Sequence, residues 1–355
     1  MIKTKDFKIK MVLTLFNNTQ TTTTTGSGNN LSAEMKTFYS DYLIDLAGPN
    51  LVHDQAAQKH PIPKNGGKTI EFRKYSPLAK ATTALTEGVT PNGNKLNVST
   101  IEATVKQYGD YIELSDMLIL TAIDNNLVEA TKLLGDQAGL TLDTISREVL
   151  NGGTNVIYAP KLGADGTETE VTSRTAITKD CKLTTKLIFK AVALLKSMNA
   201  KPVSDMGAYF CIIHPLLAYD LMTQANAQNV WLDVYKYASP KNILNGELGK
   251  MGGVRFVETS EAKIWEEAGA ATGTASDKYS VYSTLVIGAN AYGTTEITGG
   301  GLQNIVKQLG SAGTSDPLNQ RATTGWKATK VTERLVEEYM IRIESCGSFA
   351  EQAAN

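Results

Sequence analysis

The side chains in this 355-residue chain that most readily bind metals or transfer protons are its three histidines, His53, His60 and His214. Their spacing matches neither HExxH nor HxxxH, the patterns that place two imidazoles on one helix face. His60 precedes Pro61, and His214 ends an apolar run before Pro215. The pattern therefore favours histidines at loop and strand ends over a metal site or an acid–base centre.

The three cysteines, Cys181, Cys211 and Cys346, are the candidate nucleophiles. They lie far apart and include no CxxC pair, so they predict neither a zinc site nor a disulfide framework. A cysteine nucleophile also needs a neighbouring base, and the sequence does not place a histidine beside any of them. We expect three reduced thiols, mostly buried, that pack as small apolar side chains.

The segment Asn65–Thr69 (NGGKT) resembles the end of a phosphate-binding loop. That motif needs a glycine five residues before Gly67, where this chain has Ile62, and it leads into a helix instead of the strand pattern found here. Gly299–Gly301 does not match GxGxxG, and the chain has no GxSxG motif. The sequence therefore predicts no catalytic residues, no metal ligands and no cofactor site.

Two acidic pairs and three tryptophans complete the set of chemically capable side chains. Glu266–Glu267 and Glu337–Glu338 have the pattern of solvated surface carboxylates. Trp231, Trp265 and Trp326 are interpreted as packing or interface anchors, because an indole ring buries a large area.

Charge and hydropathy exclude two further classes of protein. Lysine and arginine number 35 and aspartate and glutamate 36, which gives a net charge of −1, whereas a nucleic-acid binder needs a cationic excess. Near-zero charge also lets many copies approach one another without strong repulsion.

The longest apolar stretch, Leu187–Leu195, is interrupted by Lys190 and is shorter than the ~20 residues of a membrane span. We expect no membrane partner.

The first 63 residues divide into a tail and an arm. Residues 1–30 combine lysines, a short apolar run and a threonine-rich run, which predicts a flexible tail. An amphipathic helix is predicted to follow, because apolar residues recur every three or four positions at Leu31, Met35, Phe38, Tyr42 and Leu46. Residues 51–63 are predicted to be an irregular connection.

Residues 64–115 have strand periodicity on both sides of a long gap. The alternating apolar residues are Ile70 and Phe72 before the gap, and Ile101, Ala103 and Val105 after it. More than twenty residues in between are too many for a tight turn, and a loop of that length is usually functional or held by a partner. The alternation changes phase at Gly109, which predicts a bulge there.

A long helix is predicted over residues 124–151, with Asp124 as its N-cap and Gly152–Gly153 at its end. Gly135 and Gly139 lie inside it and weaken it by about 1 kcal/mol each relative to alanine. We expect either close packing or a bend at these two residues.

The rest of the chain has a mixed α/β pattern. The predicted elements are a polar loop over 159–180, a helix over 184–198, a buried strand at Tyr209–Ile213, a short helix from Pro215, strands at Val254–Val257 and Val281–Ile287, and a half-buried strand over 339–343. Residues 331–337 fit either a strand or a helix.

Taken in order, the chain resembles a family of tailed-phage major capsid proteins, the one typified by the major capsid protein of the enterobacterial phage N-four. The strings that carry the resemblance are Leu31–Tyr39, His60–Phe72, Leu85–Pro91, Gln107–Tyr111, Glu148–Asn151, Gly253–Thr259, Gly300–Gln303, Val306–Gly310, Asp316–Arg321 and Val336–Met340. They cover nearly everything from residue 31 to 346 except the loop at 159–180.

The resemblance implies an α+β chain with the Hong Kong 97-type phage capsid fold. The implied parts are a flexible tail (1–30), an N-terminal arm with a helix (31–63), an extended β-hairpin loop (64–115), a peripheral domain with a spine helix at 124–151 (116–200), an axial α/β domain (201–322), and a return to the peripheral domain with a C-terminal tail (323–355).

The implied function is structural and not enzymatic. Copies of the chain would form hexamers and pentamers of an icosahedral shell that confines double-stranded DNA without reading its sequence. The implied partners are a portal, a separate scaffolding protein, expected because only about thirty residues precede the match, and decoration proteins. The protein would be assembled in the cytoplasm of a host bacterium and reside in the virion.

Three other classes stay open on the residues alone. A soluble enzyme would need a convergent site that the sequence does not show. A monomeric binding module, such as an adhesin, would keep residues 76–98 ordered without partners. The shell of a cellular nanocompartment has the same fold as a capsid and would differ by packaging a protein cargo instead of DNA.

Overall fold

The computed structural model describes residues 52–349, apart from 76–77, 79, 86, 89, 91–92, 123–125, 164, 205, 225–230, 234–242, 245, 273–276 and 312–315. The predicted tail, the arm helix at 31–46 and the proposed N-cap Asp124 lie outside the described residues.

Among the described residues the chain forms strands and helices with the following bounds. The strands are β1 (Gln58–Lys59), β2 (Thr69–Tyr75), β3 (Val98–Thr104), β4 (Lys106–Ser115), β5 (Val156–Tyr158), β6 (Lys161–Leu162), β7 (Glu168–Thr169), β8 (Tyr209–Ile213), β9 (Leu232–Asp233), β10 (Glu247–Met251), β11 (Val254–Glu258), β12 (Ile264–Trp265), β13 (Val281–Ile287), β14 (Tyr292–Thr295), β15 (Gln303–Lys307), β16 (Arg321–Arg334) and β17 (Met340–Ser345). The helices are α1 (Asp116–Thr121), α2 (Asn126–Asn151), α3 (Thr185–Ser197) and α4 (Pro215–Met222), with 3₁₀ turns at Arg174–Ala176 and Glu337–Tyr339.

The larger sheet has eight strands in the order β5-β17-β13-β8-β11-β10-β9, with β12 beside β13. Strands β8, β13 and β17 are buried along their whole length, because apolar side chains cover both faces. One face packs against α3 and α4, and the other packs against Val52, Ala56 and the end of α2 at Leu150. This double burial explains why β8 is a continuous apolar run.

The smaller sheet is built around β16, which is 14 residues long. Its order is β1-β14-β16-β15, with β4 also paired to β16. The first half of β16 pairs with β15 and the second half pairs with β14. Strands β2 and β3 form a separate antiparallel hairpin in which Thr69 lies opposite Thr104 and Tyr75 lies opposite Val98.

The described chain divides into two compact units. One consists of Gly109–Asp136 and Gln303–Lys327, and the other consists of residues 52–108, 137–302 and 328–349. The eight-stranded sheet and the β2–β3 hairpin belong to the second unit. Strands β5 and β17 also belong to that sheet. The sheet therefore includes chain segments that precede and follow 201–322, the range predicted for the axial domain.

Most predicted elements are confirmed, three local predictions need correction, and one open alternative is decided. Residues 51–63 contain β1, which pairs in parallel with β14, and residues 159–180 contain the small β6–β7 hairpin. Residues 331–334 are the end of β16. Strand β17 is buried on both faces instead of one.

The change in the alternation of apolar residues, which predicted a bulge at Gly109, has a different explanation in the structure. The break between β3 and β4 falls at Val105, where the chain leaves its partner β2 and pairs with β16 instead. Gly109 has another role, since a Cβ there would lie 2.6 Å from the carbonyl oxygen of Trp326. Strands β4 and β16 therefore lie too close together at this position for any residue other than glycine.

Alanine substitutions at Gly109 and Gly135 compare a glycine in close backbone contact with one that has open space around it. Gly109→Ala forces a methyl group against the backbone, and we expect it to lower the free energy of unfolding by about 1–3 kcal/mol. A Cβ at Gly135 meets no atom within 4 Å, so close packing does not explain this residue. Gly135→Ala should therefore raise the free energy of unfolding by about 1 kcal/mol, measured by denaturant titration of the free subunit. Equal effects of the two substitutions on the free energy of unfolding would contradict the steric role of Gly109.

Candidate assembly surfaces

The loop between β2 and β3 exposes large apolar side chains. The described residues within 78–97 form no helix or strand, and Leu78, Leu85 and Leu96 are 58%, 77% and 73% exposed. Exposed leucines grouped on one loop are typical of a surface that a partner covers.

The same hairpin is strongly cationic. Residues 64–106 contain seven lysines and arginines and three glutamates, a net charge of +4, whereas the whole chain carries −1. The rest of the chain therefore carries −5. Such a charge separation steers two copies toward one another by bringing unlike surfaces together.

The unit formed by Gly109–Asp136 and Gln303–Lys327 has the opposite charge and is also rich in exposed apolar groups. By sequence these two segments carry seven acidic and four basic residues. The exposed apolar side chains are Tyr111, Met117, Leu120, Leu133, Ile305, Val306, Leu309 and Leu318. Strand β15 is the last strand of its sheet and is exposed along its whole length. We call this unit the acidic unit.

A groove of about 500 Å³ lies on the acidic unit beside Tyr111, Ile305 and Trp326. Gly109 and Gly325 line it without side chains, and the chain is closely packed there, since a Cβ on Gly325 would lie 2.7 Å from the Cβ of Tyr111. The indole of Trp326 is buried, as expected of a packing anchor.

In the other unit, a buried ionic cluster joins the last strand to the end of α2. Glu344 on β17 is fully buried and accepts hydrogen bonds from Arg174 Nε at 2.7 Å, Arg174 Nη2 at 2.7 Å and Arg342 Nε at 2.8 Å. The Arg174 guanidinium also lies over the ring of Trp265, 3.7 Å from its centroid. A buried carboxylate is stable only when paired in this way.

Arg342 completes the link by capping α2. Its Nη1 donates to the carbonyl oxygens of Asn151 and Gly153, the latter at 2.9 Å, which satisfies groups left open at the helix end. The hydrogen bonds to Glu344 raise the pKa of Arg174, whereas burial lowers the pKa of Arg342. This cluster was missed by the sequence analysis, since alternating charges on a strand predict a solvated face.

The segment that enters from the predicted arm is bound to α2 by a second buried pair. The ring Nδ1 of His53 lies 2.6 Å from Oδ2 of Asp143, and its backbone N–H donates to Oδ1 at 3.0 Å. Tyr292 donates its hydroxyl to the carbonyl oxygen of His53 at 2.6 Å, and Asp54 pairs with Lys330. His53 is therefore a structural residue in the core.

The other two histidines each follow directly on a strand, His60 after β1 and His214 after β8. His214 caps α4 by accepting the Leu216 N–H at 3.2 Å on Nδ1, and burial lowers the pKa of its ring to about 4. His60 packs its ring 6.1 Å from that of Phe72. The expectation of histidines at loop and strand ends is confirmed for these two.

The three cysteines are free and buried, as predicted. Burial raises the pKa of the Cys346 thiol to about 12 and raises the pKa of Cys211 as well. Buried thiols with raised pKa values are poor nucleophiles.

The acidic pair at 337–338 is not simply solvated surface. Glu337 accepts backbone N–H groups of Thr154 and Asn155, and Arg334 lies nearby at 3.5 Å. Burial alone would raise the pKa of Glu337, but these hydrogen bonds and the charge of Arg334 lower it overall.

The described residues contain no group of three or more histidine, cysteine, aspartate or glutamate side chains placed to hold a metal ion. Within the same residues, no helix combines the length and the apolar character needed to cross a bilayer.

Comparison with solved structures gives the fold class. Over 94% of this chain and 100% of the other, the structure matches the capsid of Ralstonia phage GP4 with a TM-score of 0.70 at 15% identity. It matches the capsid of cyanophage P-SCSP1u with a TM-score of 0.62 at 15% identity, over 94% and 97% of the two chains. The cyanophage Pam1 capsid matches over 88% and 95%, with a TM-score of 0.61 at 13% identity. The chain has the Hong Kong 97-type capsid fold.

Sequence comparison gives the family. Residues 98–338, more than half of the chain, match the phage capsid protein family, and this chain belongs to that family. A comparison with curated protein sequences found no match. The chain is a structural protein of a tailed-phage shell, as the resemblance in its sequence predicted.

Glu344→Gln tests the buried cluster. It leaves the buried Arg342 and the partly buried Arg174 without this counter-ion, and we expect the free energy of unfolding to fall by about 3–5 kcal/mol in a denaturant titration of the free subunit. Glu338 lies on the surface, 3.6 Å from Lys74, and Glu338→Gln should cost less than about 1 kcal/mol. Similar losses in the two variants would contradict the cluster's role.

His214 predicts a pH dependence with a defined sign. Its pKa is about 4 in the folded subunit against an ordinary 6.5, so the unfolded chain binds more protons between these values. The free energy of unfolding should therefore fall as the pH drops from 6.5 to 4, by up to about 3 kcal/mol from this group. His214→Asn keeps a capping acceptor and should remove that part of the pH dependence. His60→Asn is the control, and an unchanged pH profile in His214→Asn would refute the prediction.

Proposed function

We propose that this chain is the major shell subunit and that its copies form hexamers and pentamers of an icosahedral capsid around double-stranded DNA. Rings of this kind use head-to-tail contacts, in which one surface of a subunit meets a different surface of the next. The cationic hairpin and the acidic unit are two such unlike surfaces. The observation that carries the proposal is the group of exposed leucines on a hairpin with a net charge of +4.

The hairpin of one copy docks on the acidic unit of a neighbouring copy. Burial of Leu78, Leu85 and Leu96 against exposed apolar groups supplies the free energy, at about 25 cal/mol per Å² of apolar area removed from water. The unlike charges orient the approach. Each contact can be modest, because a subunit held by several neighbours gains from their effective concentration.

The domain roles follow the strand pairing. We assign the eight-stranded sheet with α3 and α4 to the axial domain, and α2 with the sheet around β16 to the peripheral domain. The pairing of β5 with β17 and of β17 with β13 supports placing these two strands with the axial sheet, although the sequence had predicted both, like α3, in the peripheral domain. The predicted hairpin at 64–115 keeps its role as the intersubunit arm.

The remaining expectations concern chemistry and partners. The subunit has a structural and not an enzymatic role, and it confines DNA without sequence-specific contacts, in keeping with its net charge of −1. A portal, a separate scaffolding protein and decoration proteins are the further partners, and assembly takes place in the cytoplasm of the host bacterium. A nanocompartment shell would instead contain protein cargo, so the nucleic acid content of purified shells distinguishes the two.

Leu85→Asp tests the assembly contact. It places a charge in the proposed interface, and we expect it to prevent shell formation by negative-stain electron microscopy while leaving the unfolding free energy of the subunit within about 0.5 kcal/mol of the parent. Thr83→Asp in the same loop is the matched control and should reduce assembly much less. If both variants assemble like the parent, in the presence of the co-expressed neighbouring genes, the proposed contact is wrong.

A further inference from the structure

A second groove, distinct from the one on the acidic unit, lies at the base of the β2–β3 hairpin. It has a volume of about 780 Å³, within the range of pockets that hold a ligand of several side chains. Its apolar walls are formed by Pro61, Ile70, Phe72, Ile101, Leu335 and Val336. We call it the hairpin-base groove.

Several apolar side chains in the groove remain partly exposed to solvent in the described chain. Ile70, Phe72 and Ile101 lie on one face of the hairpin and are only half-buried. An ion pair between Lys74 and Glu338, 3.6 Å apart and largely exposed, lies at its rim. This face of the hairpin is therefore open to a further contact.

The chain itself supplies a segment of matching character. Residues 31–46 place Leu31, Met35, Phe38, Tyr42 and Leu46 on one stripe of a predicted helix about 24 Å long. The same segment carries three acidic residues and one lysine, a net charge of −2, whereas the hairpin carries +4. The apolar stripe of the segment complements the apolar walls of the groove, and its negative charge complements the positive charge of the hairpin as a whole.

The connection is short enough for the segment to reach the groove of its own chain. Only five residues separate Leu46 from Val52, and the connection spans up to ~20 Å when extended. Val52 is buried in the cluster that contains Ala291, and the neighbouring Asn290 lines the groove. Gln58, a few residues further along, lines it as well.

We propose that residues 31–46 dock as an amphipathic helix in the hairpin-base groove of their own chain. The docked helix covers the apolar face of β2 and β3 and braces the hairpin in one direction. A hairpin that is already oriented loses less conformational freedom when it meets a neighbouring copy, so the brace makes subunit association more favourable.

Paired cysteines in the full-length protein test this directly. Phe38→Cys lies on the predicted apolar stripe, and Ile101→Cys lies in the groove. In the control, Ser40→Cys replaces Phe38→Cys, because position 40 lies on the opposite side of the same helix. Both pairs are treated with a short bismaleimide as free subunits, beside the parent protein, whose own three thiols are buried. Peptide mass spectrometry and the gel mobility of the products locate the links.

We expect the Phe38 pair to link within one chain severalfold faster than the Ser40 pair. Equal rates would overturn the docking, and links found only between two chains would overturn the assignment to the same chain. Hydrogen exchange on the unsubstituted protein gives a second test that needs no variant: residues 35–46 should be protected, and exchange as fast as in residues 1–30 would contradict the proposal. Both tests use free subunits, so their outcome is separate from whether shells form.

Discussion

The buried carboxylate of Glu344 sets a constraint on which much of its unit depends. A charge buried within a sheet that is covered on both faces destabilises the fold unless cations pair with it. Arg342 comes from the same strand and Arg174 from a 3₁₀ turn far away in the sequence, and both pair with Glu344 where β17 is buried. Arg342 also holds the C-terminal end of α2 through the carbonyl oxygens of Asn151 and Gly153. One cluster thus fixes the last strand, the long helix and the Arg174 turn together.

The elements of the fold were largely predictable from the sequence, because their apolar residues follow simple periods. The run Tyr209–Ile213 predicted a strand buried on both faces, and the spacing within 184–198 predicted α3. The same method misjudged β17, since Arg342 and Glu344 alternate with isoleucines as surface residues would. Periodicity reports polarity and not exposure, so it cannot distinguish a solvated charge from one neutralised by a distant arginine.

The candidate surfaces were predictable to different degrees. The hairpin could be expected, because its loop is too long to be a turn, and its leucines are exposed in the structure. The acidic unit could not, since it combines two segments about 170 residues apart and depends on the close approach of Gly109 and Gly325 to their neighbours. The change of phase near Gly109 was visible in the sequence, but its cause, a change of pairing partner, is a property of the fold.

The proposed shell depends on one contact, that of the cationic hairpin of one copy with the acidic unit of the next. A cryo-electron microscopy reconstruction of assembled shells tests it most directly. We expect density for residues 78–97 over the acidic unit of a neighbouring copy, with Leu78, Leu85 and Leu96 buried in the contact. Shells in which these three leucines remain in solvent would contradict it.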